Sequence, residues 1–192
     1  PTQPEQVLVT NGGKQAIYNL FQVLLNPGDE VLLPAPYWLS YPEMAALAGA
    51  STRIIPTKAE EGFRLDLDLL EQQITPRSRL LVINSPGNPS GQVMTRAEME
   101  ALAALVARHP QLMVMSDEIY EYLLADGQQH CSFAAIAEEI RSRCFTVNGF
   151  AKGWAMTGWR LGYLAGDAGV IKAASALQSP VSYTHLRAHE TG

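Results

Sequence analysis

An α/β fold, with a mostly parallel sheet covered by helices on both faces, is predicted for this chain by three observations. Short apolar runs alternate with amphipathic segments of helical period along most of the 192 residues. The runs are nearly continuous in Val, Leu and Ile, as strands buried on both faces require. Asn84, Asp117 and Asn148 fall at run ends, and ligands of such sheets sit beyond the strand C-termini.

The elements follow in order. VLVT, at 7–10, reads as a strand. Residues 13–25 read as a helix, with Ile17, Leu20, Phe21 and Leu24 on one face, stopped by Asn26-Pro27-Gly28-Asp29. EVLLP is a strand, 40–48 a helix and STRIIP a strand. A helix over 67–74 precedes the buried strand RLLVIN at 79–84, which runs into the turn-rich SPGNPSG. Thr95 caps a helix reaching His109, and Glu98 completes a capping box. LMVMSD, CFTVNG and RLGYLAG are three further strands, and DEIYEYL reads as a short helix between the first two. A final helix is expected over 168–178.

Composition narrows the function classes. A hydrophobic content of 47% and a charged content of 17% suit a globular core of one sizeable domain. A net charge of −5 argues against nucleic acid or an anionic membrane as partner. No apolar run approaches the roughly 20 residues of a spanning helix, and a cytoplasmic location is expected. Cys131 and Cys144 are isolated, without metal-site spacing, and read as reduced structural thiols.

The chemistry concentrates in NGFAKGWAMTGWRLGY, at 148–163. Lys152 stands eight residues before Arg160, flanked by Gly149, Ala151 and Gly153. One amine with small neighbours and one guanidinium able to fork onto a phosphate suit a pyridoxal phosphate Schiff base. On spacing alone, a surface lysine followed by a structural arginine remains the alternative. Three upstream segments bear on that choice: NGGKQAIYN at 11–19, PYWLSYPEM at 36–44 with NSPGNPSG at 84–91, and SDEIYEYL at 116–123. In this order, with the lysine segment, they resemble the class I aminotransferases of fold-type I. The resemblance runs from about residue 7 to 178, and its wording is nearest the bacterial branch acting on aspartate and, in some members, prephenate.

That resemblance implies a partial large domain, three-layered αβα, over 1–180, without the N-terminal arm and the small C-terminal domain. It also implies pyridoxal 5′-phosphate as cofactor, amino acid and 2-oxo acid substrates, and a homodimeric parent. Lys152 becomes the amine that forms the internal aldimine and then moves a proton, its pKa lowered by burial and neighbouring cations. Asp117, a strand-end carboxylate in need of a positive partner, is given one in the cofactor's pyridinium nitrogen. Capping of the following turn is its ordinary alternative. Tyr120 and Asn88 are implied donors to the cofactor's phenolate oxygen, where unaided they would read as a core tyrosine and a turn residue. Gly12-Gly13 before a helix suits a phosphate seat, completed by Arg160. Trp38 resembles the aromatic lying against the cofactor ring and meeting substrate, a placement also shared by Asn88. Lys14, a cation unfavourably placed in a helix's first turn, suggests a compensating anion, the distal carboxylate of aspartate or glutamate. A solvated lysine is the other reading. Gly153-Trp154 stands where the family has the smaller Ala-Phe, and Ala151 lacks a hydroxyl some relatives carry.

Two other classes share the fold: sensor domains of DNA-binding regulators, and PLP-dependent lyases that cleave C–S bonds. The segment PVSYTHLRAHETG departs from the pattern. VSYTHLRAHET resembles a translated transposase sequencing adapter, so 181–192 is expected to be non-native. His185, His189 and Glu190 have metal-like spacing, but no metal is expected.

Overall fold

The computed structural model describes residues 2–190, with side chains as far as 180. Its centre is a seven-stranded sheet: β1 (Val7–Asn11), β2 (Glu30–Pro34), β3 (Ser51–Ile55), β4 (Ser78–Asn84), β5 (Met113–Asp117), β6 (Cys144–Gly149) and β7 (Leu161–Ala165). Their spatial order is β1-β7-β6-β5-β4-β2-β3. β7 lies antiparallel to both neighbours, while the other pairs are parallel. The expected mostly parallel sheet is therefore present, with one reversed strand inserted beside β1.

Helices cover both faces. α1 (Gly13–Leu24), α2 (Ser40–Leu47) and the start of α6 (Ala168–Glu190) pack on one side. Ile17, Leu20 and Phe21 bury there with Val82, Met115 and Val147. On the other side α3 (Leu67–Gln73), α4 (Arg96–Ala107) and the single turn α5 (Phe133–Ile136) cover Leu81, Ile83 and Val114. The spacing of Ala16, Ile17, Leu20, Phe21 and Leu24 turns one α1 face inward, as the apolar period demands. Thr95 caps α4 with the expected box: Glu98 N–H donates to Thr95 Oγ1 at 3.2 Å, and Thr95 N–H donates to Glu98 Oε2 at 2.7 Å.

Two expectations are corrected. DEIYEYL forms no helix: residues 119–122 are a turn directly after β5. Glu118 sets this geometry. Buried, it accepts from Ser116 Oγ at 2.9 Å, Ser132 Oγ at 3.1 Å and the Phe133 N–H at 3.1 Å, and it meets His130 Nε2 at 3.2 Å. A side chain so engaged ties the turn to the loop before α5 instead of to a continuing helix. The last helix also extends beyond 178, to Glu190, with Pro180 inside it. The side chains of the expected non-native segment, and with them the His185/His189 pair, lie outside the described residues.

At the far end of the sheet, Glu30 begins β2 in a buried ionic cluster. Arg53 Nη2 lies 3.0 Å and Arg77 Nη2 2.9 Å from Glu30 Oε1, and Thr75 Oγ1 donates to Oε2 at 2.6 Å. These donors, led by Arg53, hold the Glu30 carboxyl down at about 2. Cys131 and Cys144 are free thiols, and burial pushes that of Cys144 up to about 12.

Candidate active site

The C-terminal ends of β4, β5 and β6 open into a cleft of ≈ 320 Å³, within the usual range for small-molecule sites. Gly12, Gly13 and Lys14 line one wall from the N-terminus of α1, and Trp38 reaches in from the segment before α2. Asn88 comes from the loop after β4, Asp117 and Tyr120 from the end of β5 and its turn, and Lys152 and Arg160 from the loop joining β6 to β7. All nine predicted site residues thus meet in one place. Asn84 also borders the cleft, whereas Asn148 turns its Oδ1 to the Gly149 N–H at 2.7 Å.

Asp117 lies at the bottom, with 4% of its surface exposed. Burial pushes its carboxyl from the ordinary 3.8 up to about 6, against donation from Tyr41 and Ile119. Tyr41 Oη donates to Oδ2 at 2.7 Å, and the Ile119 N–H donates to Oδ1 at 3.2 Å. Among the described residues no cation is one of the groups that shift Asp117. A buried carboxylate without a counter-charge is a receptor for one. Asn84 steadies the same strand end, donating through Nδ2 to the Asp117 carbonyl at 2.9 Å, and its Oδ1 accepts from the Asn88 N–H at 2.7 Å. Asn88 Nδ2 then donates to Tyr120 Oη at 3.4 Å, so these two polar groups sit side by side in the cleft that Asp117 lines.

The phosphate seat expected at Gly12-Gly13 is close-fitted. Gly12 has φ +76°, ψ 164°, a conformation suited to glycine, and a Cβ there would stand 2.6 Å from Arg160 Nη2. Gly162, on β7, abuts the same backbone: its Cβ would lie 2.6 Å from Gly13 N. Free N–H groups of the first turn of α1 and the guanidinium thereby face a common volume, fit for an anion. Arg160 itself sits in the left-handed region at φ 51°, and its Nη1 donates to the Thr157 carbonyl at 3.2 Å.

Lys152 Nζ lies 5.8 Å from the centre of the Tyr120 ring and is exposed, so the burial expected to act on it is not met. The small residues around it serve packing as well as space. A Cβ at Gly153 would meet Tyr122 Cδ2 at 2.7 Å, and one at Gly149 would meet the Leu161 carbonyl at 2.8 Å. Gly153 allows Tyr122 to stack on Trp154 at 4.5 Å, which accounts for the Gly-Trp pair in the chain. Lys14 Nζ stands 5.0 Å above the Trp38 ring, so these two expected site residues share one wall of the cleft.

Tyr41 is the residue that sequence reasoning missed. It follows Trp38 by three positions, with its N–H donating to the Trp38 carbonyl at 3.2 Å and its ring edge-on to Trp38 at 5.4 Å. That i, i+3 spacing at a helix start was the available signal. Outside the cleft, Glu118, Glu121 and His130 bring potential ligand atoms within 4.8 Å of one another, but Glu118 is already supplied with protein donors.

The donor set suits pyridoxal phosphate: a buried carboxylate with neutral donors, an amide and a phenol paired beside it in the cleft, an amine, and an anion seat that a Cβ on Gly12 or Gly162 would crowd. Comparison with known proteins agrees with this geometry. The family model for aminotransferase class I and II matches residues 1–189. A bifunctional aspartate aminotransferase and glutamate/aspartate-prephenate aminotransferase of Petunia hybrida is 52% identical over 176 residues, 92% of this chain and 36% of that protein. An aspartate/prephenate aminotransferase of Cereibacter sphaeroides is 47% identical, over 92% of this chain and 44% of its own length. The structure of Thermus thermophilus aspartate aminotransferase with maleate superposes with a TM-score of 0.89 at 48% identity, over 94% of this chain and 46% of that one. The chain thus spans less than half the length of these relatives, and it belongs to the class I and II aminotransferase family.

Proposed function

We propose that this chain is the cofactor-binding part of a pyridoxal-phosphate-dependent aminotransferase that exchanges amino groups between aspartate or glutamate and 2-oxo acids. The observation that carries the reading is the convergence of Lys152, Asp117 and Arg160 on one cleft. When bound, pyridoxal phosphate supplies an aldehyde that accepts amino groups and a ring that withdraws electrons. Arg160 and the free N–H of Gly13 would hold its phosphate, while Gly12, whose own N–H donates to the Thr10 carbonyl at 2.9 Å, lines the seat without crowding it. Asp117 keeps a proton on its ring nitrogen, and Asn88 and Tyr120 donate to its ring oxygen. Trp38 lies against the ring, and Lys14 pairs with the distal carboxylate of the substrate. Lys152 Nζ would take the proton from the substrate Cα and give it back on the far side of the substrate nitrogen, a 1,3 transfer for which a positioned amine is suited.

The relatives' names favour amino transfer over the regulator and C–S lyase readings. They also favour acidic substrates, as the placement of Lys14 does. A cytoplasmic homodimer with the site near the subunit interface completes the proposal, and the exposed apolar Leu39 and Leu47, at the two ends of α2, support the dimer. Oxaloacetate formed from aspartate and 2-oxoglutarate, measured in the full-length protein with added pyridoxal phosphate, tests it. Lys152→Ala should abolish the visible absorbance of the loaded protein and nearly all turnover. Normal transamination by that variant would sink the assignment.

A further inference from the structure

Asp117 has one protein donor on each oxygen, and they differ in kind. Ile119 donates through its backbone, and any residue there would do the same. Tyr41 donates through a side chain that comes from a different element and is itself only 2% exposed. Its hydroxyl is 2.7 Å from Oδ2, inside the cleft wall, and its ring is pinned against Trp38. The start of α2 and the segment before it therefore hold two groups at once, Trp38 beside the cleft and Tyr41 against the carboxylate.

We propose that Tyr41 is a positioning residue for Asp117: its hydroxyl fixes the rotation of the carboxylate and favours the ionised form that pairs with the cofactor's ring nitrogen. The proposal rests on the pyridoxal phosphate reading. A hydrogen bond from a neutral hydroxyl stabilises a buried anion without adding a charge that would compete with an incoming cation. A lysine or arginine at 41 would instead satisfy the carboxylate and leave nothing for the ring. The other titratable groups around Asp117 are Glu118 and Tyr120 on its own segment, and Lys14, Lys152 and Arg160 across the cleft. Their contributions, and that of His130 beyond Glu118, are common to the proteins compared below.

The experiment uses two probes that cannot condense with Lys152: pyridoxamine phosphate, and its analogue with a carbon in place of the ring nitrogen. Their dissociation constants are measured from pH 5 to 8.5 by quenching of intrinsic fluorescence in the full-length protein. The wild type should prefer the nitrogen-bearing probe, and the preference should fade as the pH drops and Asp117 takes up a proton. In Tyr41→Phe the midpoint of that loss should move up by about one to two pH units, the equivalent of one hydrogen bond to a charged group. An unmoved midpoint, with both probes weakened equally, would mean that Tyr41 only packs. Should Tyr41→Phe not fold, site-specific difluorotyrosine at 41, nearly isosteric and a stronger donor, should move the midpoint down; no movement overturns the proposal. A wild type that never discriminates the probes overturns the cofactor reading itself, and this proposal with it.

Discussion

Asp117 and Lys14 are out of place in two different ways, and the proposed function gives each a ligand. The folded protein pays for Asp117, since burial favours its neutral form. The sign follows directly: its folded pKa of about 6 exceeds the ordinary 3.8, so its contribution to stability is complete below about 4 and is lost as pH rises through about 6. Asp117→Asn should therefore remove this loss from the unliganded protein, flattening thermal stability between pH 4 and 7. The same change should slow transamination on the order of a thousandfold, because the ring loses its protonated nitrogen. Near-normal rates would refute the role. Lys14 instead stands against the positive end of α1, over Trp38. Lys14→Ala should cost roughly 2–4 kcal/mol in kcat/KM for aspartate and much less for alanine. Equal losses would show that it does not select for acidic substrates. At this scale the sequence was most informative: motif order carried all nine residues to one cleft. Tyr41 escaped because an aromatic inside a helix start reads as core, and its partner lies 76 positions away.

The β7–α1 junction is the element on which the anion seat depends. Gly162 faces backbone, not side chain, so an added methyl at 2.6 Å cannot be relieved by a rotamer change. Gly162→Ala should push Gly12-Gly13 away from Arg160, weakening pyridoxal phosphate binding by tenfold or more and costing about 1–3 kcal/mol in stability, read by titration and by chemical denaturation. Regular elements were legible to within a residue or two wherever a period of 2 or 3.6 ran uninterrupted, as in α1, β4 and α4. The turn after β5 was not, because DEIYEYL has the spacing of a helix. What unmakes that helix is Glu118, whose partners His130, Ser132 and Phe133 lie 12 to 15 residues away. The glycines near Lys152 were legible as small, but not their reason, which is the stack of Tyr122 on Trp154.

For the whole molecule, two carboxylates at opposite ends of the sheet give opposite responses to acid. Glu30 is held at about 2, so its stabilisation is present above about 4.5 and is lost as pH falls from there through about 2. Glu30→Gln should cost about 1–3 kcal/mol near neutrality and blunt acid unfolding in that window, followed by circular dichroism. An unchanged acid transition would show that the cluster with Arg53 and Arg77 contributes nothing there. The three-layer architecture could be read from strand runs alone, but the reversal of β7 could not, since periodicity carries no direction. That reversal has a mechanical consequence. Because β6 and β7 are antiparallel neighbours, the connection from Gly149 to Leu161 is a single span clamped at both ends, and it carries both Lys152 and Arg160. Under the proposed function it works as a caliper, setting the distance from Lys152 to Arg160, and so from reactive amine to phosphate anchor, by residue count. One residue added or removed changes that reach by up to about 3.5 Å, more than a hydrogen bond can absorb. If that proposal holds, a surface loop that would ordinarily tolerate insertions is held to a fixed length by the size of one small molecule, and lengthening it by a residue between 152 and 160 should abolish cofactor binding.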